Sequence, residues 1–109
     1  MQMAAPGVNE YHLHAVIDYT FRKHGGNGAG YTSIVGSGDN ACILHYIEND
    51  SVLKDGDLVL IDAGCEYQNY SADVSRTFPV SGRFSDTQKA VYEVVLRANE
   101  EVIAAVKPG

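Results

Sequence analysis

Two aspartates eleven positions apart carry the chemistry of this chain. Asp62 lies in Leu58-Val59-Leu60-Ile61-Asp62-Ala63-Gly64, and Asp73 in Ser71-Ala72-Asp73-Val74-Ser75-Arg76-Thr77-Phe78. Both runs read as β-strands, and a carboxylate inside an apolar strand is costly without a partner or a cation. The polar stretch between them predicts a hairpin. Pairing Asp62 with Asp73 sets Leu60 opposite Ser75 and Gly64 opposite Ser71, with residues 65–70 as the loop. Opposed residues share a face with Cβ atoms about 5 Å apart, which suits two metal ions roughly 3.5–4 Å apart. A one-residue slip would send the carboxylates to opposite faces. Oxygen donors favour Mn²⁺, Mg²⁺ or Ca²⁺ without excluding Zn²⁺ or Co²⁺. The competing reading is a turn cap or a salt bridge to Arg76, although Arg76, three positions from Asp73, points to the other face by strand alternation.

His45 is the second candidate. Ala41-Cys42-Ile43-Leu44-His45-Tyr46 predicts an apolar strand, where a lone histidine is usually a hydrogen-bonded structural residue. Beside a metal pair, its near-neutral pKa suits it to carry a proton or to polarise a substrate. His12, His14 and His24 fall on a predicted helix without ligand spacing and read as structural or surface residues.

The elements that must position these groups follow from pattern. Residues 9–23 predict a helix capped by Asn9, with Glu10 at its positive end and Leu13, Val16, Ile17, Thr20 and Phe21 on one face. Glycines after His24 end it. Residues 25–30 read as a flexible connection without the Gly-Lys-Ser/Thr ending of a phosphate loop. Strands are expected at 32–35 and 41–46, separated by a turn at 36–40, then a polar stretch at 48–57 with a turn at Lys54-Asp55-Gly56-Asp57. Ser85-Asp86-Thr87-Gln88 matches a capping box opening a helix with an apolar stripe of Val91, Val94, Val95, Ala98, Val102, Ala105 and Val106. The expected class is α+β, an antiparallel sheet flanked by helices. Residues 1–5 resemble the last turn of an earlier helix, and the chain stops where the final helix finishes, so a fragment truncated at both ends is expected.

Composition narrows the function classes. The chain has 109 residues, 45% of them hydrophobic and 20% charged, which suits one folded domain at most. Fourteen acidic against eight basic residues give a net charge of −6, arguing against nucleic acid or an anionic membrane as partner. No apolar run approaches the roughly 20 residues of a membrane span. Cys42 and Cys65 read as buried thiols in a reducing compartment, with the cytoplasm as default. There is no Cys-x-x-Cys or His-Glu-x-x-His zinc pattern.

Several words of the sequence resemble one family. Ile34-Val35-Gly36-Ser37-Gly38, Cys42-Ile43-Leu44-His45-Tyr46, Gly56-Asp57-Leu58-Val59-Leu60-Ile61-Asp62-Ala63-Gly64-Cys65-Glu66 and Ala72-Asp73-Val74-Ser75-Arg76-Thr77-Phe78-Pro79-Val80 resemble the Xaa-Pro aminopeptidases (aminopeptidase P). Glu10-Tyr11-His12 and Lys107-Pro108-Gly109 fit the same pattern, so the resemblance covers nearly the whole chain. It implies the amino-terminal half of a pita-bread fold, whose two pseudo-symmetric halves enclose a dinuclear site usually holding manganese. Asp62 would chelate one Mn²⁺ and Asp73 would bridge both. Water activated between the metals would cleave the bond between an N-terminal residue and a following proline. His45 matches the family histidine near the substrate. The histidine and two glutamates that complete the family site belong to a second half that this sequence lacks, as it lacks the family's amino-terminal domain. The chain alone is therefore expected to be inactive, to bind Mn²⁺ weakly, and to self-associate through the surface that half would cover. Prolidase (Xaa-Pro dipeptidase) is a close alternative, and a non-catalytic pita-bread binding module a more distant one.

Overall fold

The structure, a computed structural model, describes residues 2–109. Helix α1, Glu10–Lys23, begins where the sequence places it because Asn9 satisfies the first free backbone donors. The Asn9 side chain accepts from the Tyr11 backbone N–H at 3.1 Å, and the Asn9 backbone N–H donates to His12 Nδ1 at 3.3 Å. His24 closes the helix, followed by Gly25 at φ +87°. Leu13 is buried, with Ile17 packed beside it against Val35, Leu53, Val59 and Val80, the centre of the core. The expected helical turn at 1–5 is absent from residues 2–5, which hold only a turn, and Met1 lies outside the described residues.

The strands are β1 (Gly28–Ala29), β2 (Ile34–Ser37), β3 (Leu58–Ala63), β4 (Cys65–Tyr67), β5 (Tyr70–Ser71) and β6 (Val74–Pro79). They form two antiparallel three-stranded sheets, ordered β2-β3-β6 and β1-β4-β5. One long hairpin runs through both, its arms β3–β4 and β5–β6. Its register differs from expectation by two residues: Asp62 pairs with Ser75, Leu60 with Thr77, and Glu66 with Ser71. The expected six-residue loop is instead a two-residue turn at Gln68 (φ +49°) and Asn69 (φ +68°). Two successive left-handed residues match the twist of the flanking strands, so the ladder continues to the tip. Because the shift is even, Asp62 and Asp73 keep a common face.

The connection at 25–30 is not free. Gly28 pairs with Glu66 and Ala29 with Cys65, and Gly26 donates to the Phe21 carbonyl at 2.9 Å. The expected strand at 41–46 does not form. A 3-10 turn spans Gly38–Cys42, and the chain then runs irregularly, with His45 at φ +54° and Asn49 at φ +48°. The physical reason is a buried carboxylate. Glu10 collects donors from Ser37, Asn40, Tyr46 and Ser51, and the segment wraps around it instead of extending. The 48–57 stretch has the expected turn, Asp57 N–H donating to the Lys54 carbonyl at 3.2 Å, but it also delivers Leu53 to the core.

Helix α2, Asp86–Ala105, opens with the expected capping box: Gln88 N–H donates to Ser85 Oγ and Ser85 N–H to Gln88 Oε1. Gln88 also donates to the Gly56 carbonyl at 2.8 Å, and Phe84 packs on Tyr92. Beyond this first turn the helix stands away from the sheets. No α2 residue is buried, and Val91, Val94, Val95, Val102 and Ile103 are all exposed. The apolar stripe exists as predicted but lacks a covering surface within the chain.

Candidate functional site

The site forms where the strands pass from one sheet to the other. Gly64 separates β3 from β4, residues 72–73 separate β5 from β6, and residues 30–33 separate β1 from β2. Asp62 sits on the central strand β3, paired with Ile34 on one side and Ser75 on the other. Asp73 lies in the break before β6, not inside a strand, and is exposed, whereas Asp62 is half-buried. Of the two expected strand-buried carboxylates, only Asp62 lies in a strand, and it is half-buried. Gly64 is indispensable to the crossing: a Cβ there would stand 1.7 Å from the Ala72 carbonyl oxygen and 3.0 Å from Tyr31 Cε1.

Tyr31, which sequence pattern did not single out, joins the pair. Its hydroxyl lies 2.5 Å from Asp62 Oδ1 and 3.2 Å from Asp73 Oδ1. One phenolic proton serves two carboxylates, held mainly by Asp62. Burial raises the phenol's pKa, and the hydrogen bond to Asp62 and the charges of Asp62 and Asp73 raise it further. The hydroxyl therefore stays protonated and donating at neutral pH. Only the Oδ1 atoms are engaged; among the described residues neither Oδ2 has a protein hydrogen-bond partner. The salt-bridge alternative is absent, since Arg76 donates to the Ser75 carbonyl instead.

This donor set fits a hard divalent cation in part: two carboxylates on one face, converging on a shared hydroxyl, each with a free oxygen. Among the described residues, no group of three or more His, Cys, Asp or Glu side chains comes together. Asp62 and Asp73 thus supply only part of a coordination shell. Ser75, the ladder partner of Asp62, lines a groove of about 710 Å³ that runs between the sheet and α2, past Leu58, Thr77, Val91 and Tyr92.

His45 is placed differently from expectation. It is exposed, on an irregular loop, and shares no hydrogen bond with either aspartate among the described residues. Of the other histidines, read as structural or surface residues, His24 is exposed and His12 and His14 make local contacts. His12 accepts from Asn9, and His14 contacts Asn49 at 3.0 Å and Asp18 at 3.6 Å. The thiols are free but not buried as expected: Cys42 is exposed and Cys65 half-buried. Glu10, read as a helix-dipole residue, is instead fully buried, a role signalled only by contacts distant in sequence.

Comparison with known proteins places the chain in a family. The profile of metallopeptidase family M24 matches residues 1–109. The chain is 50% identical over 109 residues to an Xaa-Pro aminopeptidase of Escherichia coli (strain K12), covering all of this chain and 25% of that protein. It is 40% identical over 114 residues to the Xaa-Pro dipeptidase of Homo sapiens, covering 100% of this chain and 23% of the relative. Among solved structures, the aminopeptidase PepP of Pseudomonas aeruginosa superposes with a TM-score of 0.96 at 56% identity, over 99% of this chain and 24% of that one. A zinc-substituted Escherichia coli aminopeptidase P in complex with product gives 0.96 at 49% identity, over 99% and 24%. The chain thus spans about a quarter of the length of these relatives. Its antiparallel sheets flanked by helices match the amino-terminal portion of the pita-bread fold of aminopeptidase P. The chain belongs to metallopeptidase family M24.

Proposed function

We propose that residues 1–109 form the amino-terminal half of the catalytic domain of an Xaa-Pro aminopeptidase that uses two Mn²⁺ ions. The observation that carries this reading is the convergence of Asp62 and Asp73 on the Tyr31 hydroxyl with both Oδ2 atoms free. Bound metals would polarise the peptide carbonyl and make water a nucleophile at neutral pH. Asp62 and Asp73 would hold those ions, and Tyr31 fixes the angle between the carboxylates. His45 would bind the substrate or donate to the carbonyl oxygen as negative charge develops there. With only two ligands assembled, the chain alone would be inactive and bind Mn²⁺ weakly. The exposed apolar stripe of α2 supports self-association of the isolated chain. Two free thiols support a reducing compartment, the cytoplasm, and no helix among the described residues is long and apolar enough to cross a membrane.

Prolidase activity is the second reading, favoured by the identity to the human Xaa-Pro dipeptidase. The experiment is an assay of the full-length protein, loaded with Mn²⁺, on Xaa-Pro-Xaa peptides and Xaa-Pro dipeptides. Release of the first residue from the longer peptides supports the aminopeptidase. Turnover of dipeptides alone transfers the assignment to prolidase, and no turnover of either leaves a binding module.

A further inference from the structure

We propose that Glu10, acting through Tyr46, is a positioning residue for His45; this rests on the substrate-side role given to His45 above. Glu10 is 0% exposed, yet among the described residues no cation pairs with it. Its carboxylate is satisfied entirely by neutral donors. Oε1 accepts from Ser37 N–H at 2.7 Å, Ser37 Oγ at 2.8 Å and Asn40 Nδ2 at 3.2 Å. Oε2 accepts from the Tyr46 hydroxyl at 2.8 Å and Ser51 N–H at 3.0 Å. Ser37 and Ser51 are the two ends of the loop that carries His45, so one side chain of α1 closes that loop at its base and reaches its middle through Tyr46.

The middle is where control is needed. From Ile43 to Glu48 every residue is exposed except Tyr46, which is 5% exposed. The loop's outer turn is therefore pinned to the body of the protein by one phenol, adjacent in sequence to His45. His45 itself holds φ +54°, a conformation that costs a non-glycine residue on the order of 1 kcal/mol and persists only when its neighbours impose it. Asn49 supplies the other post. At 2% exposure it accepts from Val35 N–H at 3.1 Å and donates to the Ser33 carbonyl at 3.2 Å, imitating a strand partner. Between these posts the imidazole has a fixed base and a free ring.

A double-mutant cycle on the Mn²⁺-loaded full-length protein tests this. Tyr46→Phe keeps the ring in its pocket and leaves Glu10 three donor residues, so the loop base stays closed. It is expected to lower kcat/KM on an Xaa-Pro-Xaa peptide by about 10- to 100-fold, the scale of a misplaced active-site group. The same substitution in a His45→Ala background is expected to cost almost nothing further, because the effect passes through the imidazole. Glu10→Gln, which turns one acceptor into a donor facing donors, is expected to show the same coupling. An equal loss from Tyr46→Phe in both backgrounds, or no loss in the native one, overturns the positioning role. If His45→Ala alone leaves kcat/KM unchanged, the role given to His45 falls, and this inference falls with it.

Discussion

The Tyr31 hydroxyl stands 2.5 Å from Asp62 and 3.2 Å from Asp73, although Asp62 lies in β3 and the other two in separate breaks between strands. A single donor thus sets the spacing of two like charges that would otherwise repel. Tyr31→Phe removes it without changing ring packing. Partners that orient ligating groups typically contribute 10–100-fold to metal affinity, so Mn²⁺ binding by the full-length protein should weaken by about tenfold. Isothermal calorimetry reads this directly, and an unchanged Kd would show the phenol to be a bystander.

Gly64 and Ala72 set a second limit. With only 1.7 Å between a notional Cβ and the Ala72 carbonyl oxygen, Gly64→Ala must push the hairpin arms apart. Overpacking of this kind costs about 1–3 kcal/mol. The thermal midpoint should fall, and Mn²⁺ affinity with it, because the displaced arms carry both aspartates. Retention of both quantities would mean that the crossing is more compliant than the geometry indicates.

Glu10 makes stability depend on acid. Burial pushes its carboxyl pKa up, but hydrogen bonds from Ser37, Ser51 and Tyr46 outweigh this and hold it below the ordinary glutamate value. The unfolded chain therefore takes up this proton at higher pH than the folded one. The stabilisation is complete above the ordinary value and is lost as pH falls through the depressed folded value. Glu10→Gln should lower stability near neutrality by about 1–3 kcal/mol, the cost of leaving a buried donor unpaired, and should flatten the acid side of the profile. Urea midpoints from about pH 7 to about pH 3 measure this, and parallel profiles for the two proteins would contradict it.

The isolated chain should sediment as oligomers at high concentration. Val91 and Val95 are 62% and 63% exposed on the same stripe, and burying each such side chain stabilises a contact by about 1.5 kcal/mol or more. Val95→Lys should weaken association by at least about tenfold. A monodisperse monomer at all concentrations would rule this stripe out as the contact.

Features governed by neighbours in the chain were legible in advance. Asn9 and Ser85 cap helices with groups two or three residues away, and the alternation in Leu58-Val59-Leu60-Ile61-Asp62 settles which face Asp62 takes. The parity of the hairpin survived a two-residue error in register for the same reason. What escaped was set by distant partners. Tyr31 reaches Asp73 across 42 positions and Glu10 reaches Tyr46 across 36, and no periodicity reports either contact. Residues 41–46 look like a strand because Ile43, Leu44 and Tyr46 are apolar or aromatic, but the carboxylate of Glu10 draws Asn40 and Tyr46 inward and prevents extension. Gln68-Asn69 lacks the Asn-Gly or Asp-Gly signature of a tight hairpin turn, so the sequence predicts a longer loop than forms.

The two aspartates differ in mechanical standing. Asp62 is stitched into a ladder on both sides, so its backbone cannot shift without unzipping β2 and β6. Asp73 sits in the two-residue break between β5 and β6, outside either ladder. A cation meeting this pair would find one carboxylate held between two ladders and the other tied through the Tyr31 hydroxyl. The position of Asp62 is thus fixed by main-chain pairing, and that of Asp73 by the phenol that both carboxylates share.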